Sequence, residues 1–364
     1  MSGSLKNIPA RGGAKVRSRT DGAAIPLDDR DKQLLNALQS GFPLSEEPYA
    51  AVAADIDEPI AWVLGRTQEL LDNRIIREIT PIFDTRALGY ASMLVAAKVD
   101  PDHPHRAAEV INQHPGVSHN YLRNHEFNLW FTIATPPDSA LGLEGSLEVL
   151  GREAGATSIR MLPTIRLFKI NMNLEMVKGT DSLAAPAAAA NERPIEGVQL
   201  SETDRNVVTT LQGDLPVTER PYDAAAASLG LSVPALLAHC ESMVDRGLLR
   251  RVAAILFHRR AGFAANGMGV WNVPADRIDE IGPQMASFRG VSHCYQRPTY
   301  EDWPYSVFTM AHGRSKEECD KILDEIAAAT GIEDRTTLYS STEYKKIRLK
   351  YFTPDYAAWE QDRL

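Results

Sequence analysis

The sequence predicts an α+β protein that is pseudo-dimeric within one chain. A winged helix-turn-helix followed by a ferredoxin-like (β-α-β-β-α-β) domain occurs twice in tandem. Three observations carry this. Gly-Val-Ser-His stands at 116–119 and again at 290–293. Each copy leads into an aromatic residue and an arginine, as His119-Asn120-Tyr121-Leu122-Arg123 and His293-Cys294-Tyr295-Gln296-Arg297. A shift of 173 residues places Leu27–Tyr49 on Leu200–Tyr222 with 8 of 23 positions identical, and Asp72/Asp245, Arg77/Arg250, Arg86/Arg259 and Gly89/Gly262 extend the match. Blocks that match at a fixed offset mark a duplicated unit.

The elements follow in order. Residues 1–26 hold five basic residues among Gly and Ser without an apolar run, a disordered tail rather than a secretory signal. In the first winged unit, 27–86, Asp28 or Asp29 caps a helix whose apolar face is Leu34, Leu35 and Leu38. Gly41-Phe42-Pro43 ends it. A second helix covers Pro48–Ala54 and a third roughly 58–72, with Ile60, Val63, Leu64, Leu70 and Leu71 inward. Ile75–Ile79 and Ile82–Phe83 read as a small hairpin, the wing.

The ferredoxin-like unit, 87–176, has strands at Ala91–Val99, Gly116–Arg123, Phe127–Ala134 and Ser158–Leu162, with helices at Pro104–Gln113 and Leu143–Ala154. Helices cover one face of such a sheet, so the second half's sheet is expected to cover the other. Val177–Gln199, with Ala-Ala-Pro-Ala-Ala-Ala-Ala, is a flexible tether. The second copy spans 200–259 and 260–352, and 353–364 is a C-terminal extension.

Composition narrows the class. The net charge is −9, and no segment approaches the ~18 apolar residues of a membrane span. Cys240, Cys294 and Cys319 lack metal-type spacing and fit reduced thiols in a cytoplasm. The internal pseudo-dimer is compatible with a further homo-oligomer.

The helix-turn-helix plus ferredoxin-like order resembles the leucine-responsive (Lrp/AsnC) regulators, which raises duplex DNA as a partner. Phosphate binding needs cations. Residues 57–74 offer Arg66 and Arg74 against Asp57, Glu58, Glu69 and Asp72. Residues 232–247 offer only Arg246 against Glu241 and Asp245. Neither recognition helix is basic, so no nucleic acid is expected.

Alternation along 116–123 puts Val117, His119, Tyr121 and Arg123 on one sheet face, and Val291, His293, Tyr295 and Arg297 likewise. Imidazole, phenol and guanidinium beside Trp and Tyr suit a flat anionic ring ligand. Each also has an ordinary reading, as a structural histidine or an interface aromatic.

The runs GVSHNYLR…FNLWFT and GVSHCYQRP…WPYSVFTMAHG resemble the two related subunits of siroheme decarboxylase, joined in one polypeptide. The resemblance covers roughly 27–175 and 200–352. It implies a carboxy-lyase that removes the ring C and D acetate carboxylates of siroheme, giving 12,18-didecarboxysiroheme for heme d1 or alternative heme biosynthesis. It implies no cofactor beyond the substrate's iron, because the macrocycle serves as the electron sink once protonated. His119 and His293 are then proton donors or iron ligands, with Tyr121 and Tyr295 supporting them. Arg123, Arg297 and Arg259 are carboxylate clamps, and Trp303 and Tyr305 line the second half's pocket. The halves are unequal, and the chemistry is expected in the copy followed by Trp303-Pro304-Tyr305. A ligand-responsive regulator and a tetrapyrrole carrier are the rival readings.

Overall fold

The computed structural model describes residues 26–170, 199–257, 265–313 and 315–364. The tail and the tether lie outside the described residues except at their last positions, 26 and 199.

Each half opens with three helices: α1 (Asp29–Ser40), α2 (Pro48–Asp55) and α3 (Ile60–Asp72), matched later by α6 (Glu202–Leu211), α7 (Asp223–Ser228) and α8 (Val233–Asp245). Asp28 and Ser201 start α1 and α6 through capping boxes completed by Asp31 and Asp204. The repeated Tyr49 and Tyr222 are fully buried anchors in one core shared by both helical units.

The wing differs from its expected form. Ile76–Phe83 is a single strand, β1, and its partner is β7 (Leu249–Leu256) of the other half, antiparallel over Ile76↔Leu256 to Phe83↔Leu249. Thr80-Pro81 looks like a turn in sequence. A two-stranded ribbon leaves each strand an open edge, where a residue without an N–H is tolerated. The ribbon therefore joins the two winged units.

The ferredoxin-like units take the expected order. The first is β2 (Ala91–Lys98), α4 (Pro104–Asn112), β3 (Val117–Arg123), β4 (Leu129–Thr135), α5 (Gly142–Ala154) and β5 (Ser158–Leu162). The second is β8 (Ala265–Trp271), α9 (Ile278–Ser287), β9 (Val291–Gln296), β10 (Val307–Gly313), α10 (Lys316–Thr330) and β11 (Arg335–Leu338).

Two further strands were not expected. β6 (Arg166–Ile170) leaves β5 and pairs with β9 of the second half, while β12 (Ser340–Lys346) leaves β11 and pairs with β3 of the first. The sheets run β12-β3-β4-β2-β5 and β11-β8-β10-β9-β6. Each edge strand of one sheet thus turns a corner into an edge strand of the other. Arg123 Nη1 donates to the corner carbonyl of Leu338 at 2.9 Å, and Arg297 Nη1 donates to its counterpart, the Leu162 carbonyl.

As expected, the sheets cover one another. Ala96, Phe127, Trp130 and Leu162 of the first half pack with Met268, Val270, Trp303, Phe308 and Leu338 of the second. Trp303 is fully buried there, 5.2 Å from Trp130 and 5.5 Å from Phe127 between ring centroids. Trp303→Ala is expected to cost about 3–5 kcal/mol of stability, measurable as a lower urea midpoint.

Candidate active site

The repeated tetrapeptide encodes a β-bulge. In β3, Val117 pairs with Ile133 and His119 with Thr132, which leaves Ser118 as the extra residue. In β9, Ala311 pairs with Val291 and Met310 with His293, leaving Ser292. The bulge corrects the simple alternation. Val117 and Val291 belong to the helix-side cores. Asn120 also faces the helices, its amide donating to the Asn112 side chain at 3.0 Å. His119, Tyr121 and Arg123 face the other way, as do His293, Tyr295 and Arg297. One extra residue thus lets a buried valine and an inter-sheet histidine sit two apart.

The two copies agree closely. The His119 and Tyr121 rings stack at 6.2 Å, and those of His293 and Tyr295 at 6.0 Å. Arg123 lies over Tyr121 and Trp130 at 5.9 and 5.7 Å, and Arg297 over Tyr295 and Phe308 at 5.0 and 5.4 Å. The Nε of each arginine is buried without a hydrogen-bond partner. Burial pushes both guanidinium groups down to about 10, so they stay charged at neutral pH.

The surroundings of the histidines differ. Ser118 Oγ lies 3.0 Å from His119 Nδ1 and 2.8 Å from Thr132 Oγ1. Burial holds the His119 imidazole below its usual range, and the nearby Lys346 and Arg77 add to this while Glu343 opposes it. Ser292 Oγ instead bridges His293 Nδ1 and His312 Nε2, each at 2.6 Å. Burial, then His312, pushes His293 down to about 4. His312 stands where the first half has Ala134, as their matching bonds to Gly290 and Gly116 show.

Beside Ser118 opens a cavity of about 330 Å³, lined by Arg86, Thr132, Thr164, Leu349 and, from the second half, Arg297. Exposed Arg86 makes no ion pair among the described residues. The cavity thus joins two cations from different halves.

Arg259 lies outside the described residues. Its counterpart Arg86 lines the cavity, and the Arg86/Arg259 match was the available signal. Trp303 sits in the inter-sheet core, not on the described cavity, and Tyr305 packs against it at 5.0 Å. His125 accepts the Phe127 N–H at 3.1 Å and holds its own loop. Among the described residues, no group of three or more His, Cys, Asp or Glu side chains could hold a metal ion, and no helix is long and apolar enough to cross a membrane. The three cysteines are buried and free.

Residues 87–169 and 260–345 match the AsnC-like ligand binding domain, and 31–77 and 204–250 match the siroheme decarboxylase NirDL-like HTH domain. The siroheme decarboxylase of Hydrogenobacter thermophilus is 37% identical over 327 residues, covering 90% of this chain and 96% of that one. The chain belongs to the siroheme decarboxylase family. The siroheme decarboxylase beta subunit of Methanosarcina barkeri is 41% identical over 151 residues, 42% of this chain and 99% of its own. A relative of half the length agrees with the internal pseudo-dimer. The crystal structure of the siroheme decarboxylase NirDL in co-complex with an iron-uroporphyrin III analogue superposes with a TM-score of 0.74 at 33% identity, over 92% of this chain and 98% of that one. In this chain both halves carry the Ser-His-x-Tyr-x-Arg strand, at 118–123 and 292–297.

Proposed function

We propose that this chain removes the ring C and D acetate carboxylates of siroheme to give 12,18-didecarboxysiroheme, in a cytoplasmic route to heme d1 or heme. The observation that carries the reading is the pair of bulged strands, His119-Tyr121-Arg123 and His293-Tyr295-Arg297, with a two-arginine cavity beside the first. Each step takes up one proton as the carboxylate leaves as carbon dioxide. The electron pair of the broken C–C bond passes into the macrocycle and returns to the exocyclic carbon with that proton, leaving a methyl group.

His119 is assigned as proton donor because its Ser118 neighbour lines the cavity. Burial first, then Lys346 and Arg77, disfavours the charged form of the imidazole. Substrate carboxylates oppose this and raise its proton affinity, so the acid form and the substrate arrive together. His293 fills the same role, or ligates the substrate's iron, in the second half. Arg297 and Arg86 clamp carboxylates across the halves. Arg123 and Arg297 each spend one Nη on a corner carbonyl, so their clamping falls to the remaining N–H groups. Arg259 clamps in the second half, where Tyr305 lines the pocket.

Against duplex binding stands the pairing of the recognition-helix arginines. Arg66 meets Asp31 and Glu69 at 2.6 Å each, and Arg246 meets buried Asp204 at 2.5 Å. Cations held by internal carboxylates release no phosphate counterions.

Anaerobic incubation with siroheme is expected to yield a product lighter by two carbon dioxide molecules. Unchanged tetrapyrrole, with salt-sensitive duplex binding, would instead favour a regulator.

A further inference from the structure

The C-terminal helix α11 (Asp355–Gln361) follows the duplicated unit and buttresses the first half. Glu360 accepts from the Ser139 hydroxyl and, at 3.0 Å, from the Ala140 N–H. Trp359 meets the buried His114 edge-on at 4.4 Å, and Tyr356 meets the same ring at 6.1 Å. His114 Nδ1 in turn accepts the Gly116 N–H at 2.9 Å, two residues ahead of the bulge.

We infer that His114 is a positioning residue for the first-half site: wedged by Trp359, its neutral imidazole fixes Gly116 and hence the Ser118–His119 bulge. This rests on the reading of His119 as the proton donor.

The second half provides an internal comparison. Phe288 occupies the equivalent place. The Val117 N–H donates to the His114 carbonyl at 3.1 Å, and the Val291 N–H to the Phe288 carbonyl at 3.1 Å. Lys345 and Lys169, each from an exchanged strand, donate to the same two carbonyls at 3.3 and 2.9 Å. The backbone turn therefore forms with either His or Phe at this place. What His114 adds is a lone pair for Gly116, and what α11 adds is a wall that holds the ring. Burial, with Lys345 and Arg363 nearby, pushes His114 down to about 3, so the lone pair is free across the working range. The first-half bulge is thereby tied to α11, and among the described residues the second-half bulge has no such tie.

The test compares full-length His114→Phe, His114→Asn and Trp359→Ala. Phe installs the second half's own solution and should fold. Asn keeps an acceptor on the same Cγ. His114→Phe is expected to lower kcat about ten-fold with KM for siroheme little changed, since small misplacements at a reacting group act on the chemical step. His114→Asn should recover most of that loss, and Trp359→Ala should resemble Phe. Amide hydrogen exchange across 116–123 should quicken in the Phe variant by more than its fall in melting temperature accounts for. Wild-type kcat in His114→Phe, or an Asn variant as slow as Phe, would overturn the inference. Failure of the underlying reading looks different, because His119→Ala would then turn over normally whatever the exchange data show.

Discussion

His119→Ala is expected to lower kcat for siroheme decarboxylation by about 10²–10⁴-fold, the usual worth of a positioned general acid. The side chain is half-buried on a rigid strand, and its removal leaves the Ser118–Thr132 hydroxyl contact of 2.8 Å in place, so the fold should survive. Because the acid must be protonated, the rate in the substrate complex should fall as pH rises through its pKa there. That limb should disappear in the variant. His293→Ala sharpens the result. If each half serves one acetate, one of the two variants accumulates a product that has lost a single carbon dioxide, which mass spectrometry resolves. Wild-type rates in both single variants would remove the histidines from the mechanism.

Much of this arrangement is readable in the sequence because duplication writes it twice. The helices of both winged units, the β-α-β-β-α-β order and the mutual covering of the sheets all follow from matched blocks and apolar periodicity. The exchanged strands do not. Arg166–Ile170 and Ser340–Lys346 lie past the last strand of the motif, and their partners at His293–Gln296 and His119–Arg123 are more than a hundred residues away. The wing was misread because Pro81 imitates a turn. Its real partner, β7, is fixed only when the halves meet.

At the site, alternation placed His, Tyr and Arg on a common face but also placed Val117 there. A bulge is one extra residue, and no count by twos detects it. Arg86 and Arg77 belong to the matched set, but a match between the halves does not say that a side chain reaches the site. His312 had no counterpart to flag it, because the first half carries Ala134.

Gly116→Ala tests the bulge and the asymmetry together. A Cβ on Gly116 would lie 1.8 Å from the Ala134 carbonyl oxygen and 2.9 Å from His114 Cε1. The first of these is backbone of the neighbouring strand, which cannot rotate away. β3 must then part from β4, breaking the 3.0 Å bond from Ala134 N–H to the Gly116 carbonyl and tilting the strand that carries Ser118 and His119. The cost should be about 3 kcal/mol or more. A Cβ on Gly290 meets the Ile322 side chain, Cδ1 at 2.5 Å with Cγ1 and Cγ2 at 3.1 and 3.2 Å, a side chain that can shift where backbone cannot. Gly290→Ala should stay within about 1 kcal/mol of the parent, since a small rotamer adjustment offsets the gain from a stiffer unfolded chain. Urea unfolding separates the two variants, and turnover measured well below the Gly116→Ala midpoint separates stability from geometry. Equal stabilities would deny the close approach of β3 to β4. A low rate in folded Gly116→Ala, beside near-normal Gly290→Ala, would locate the more demanding geometry in the first half, where Arg86, Arg297 and Ser118 meet.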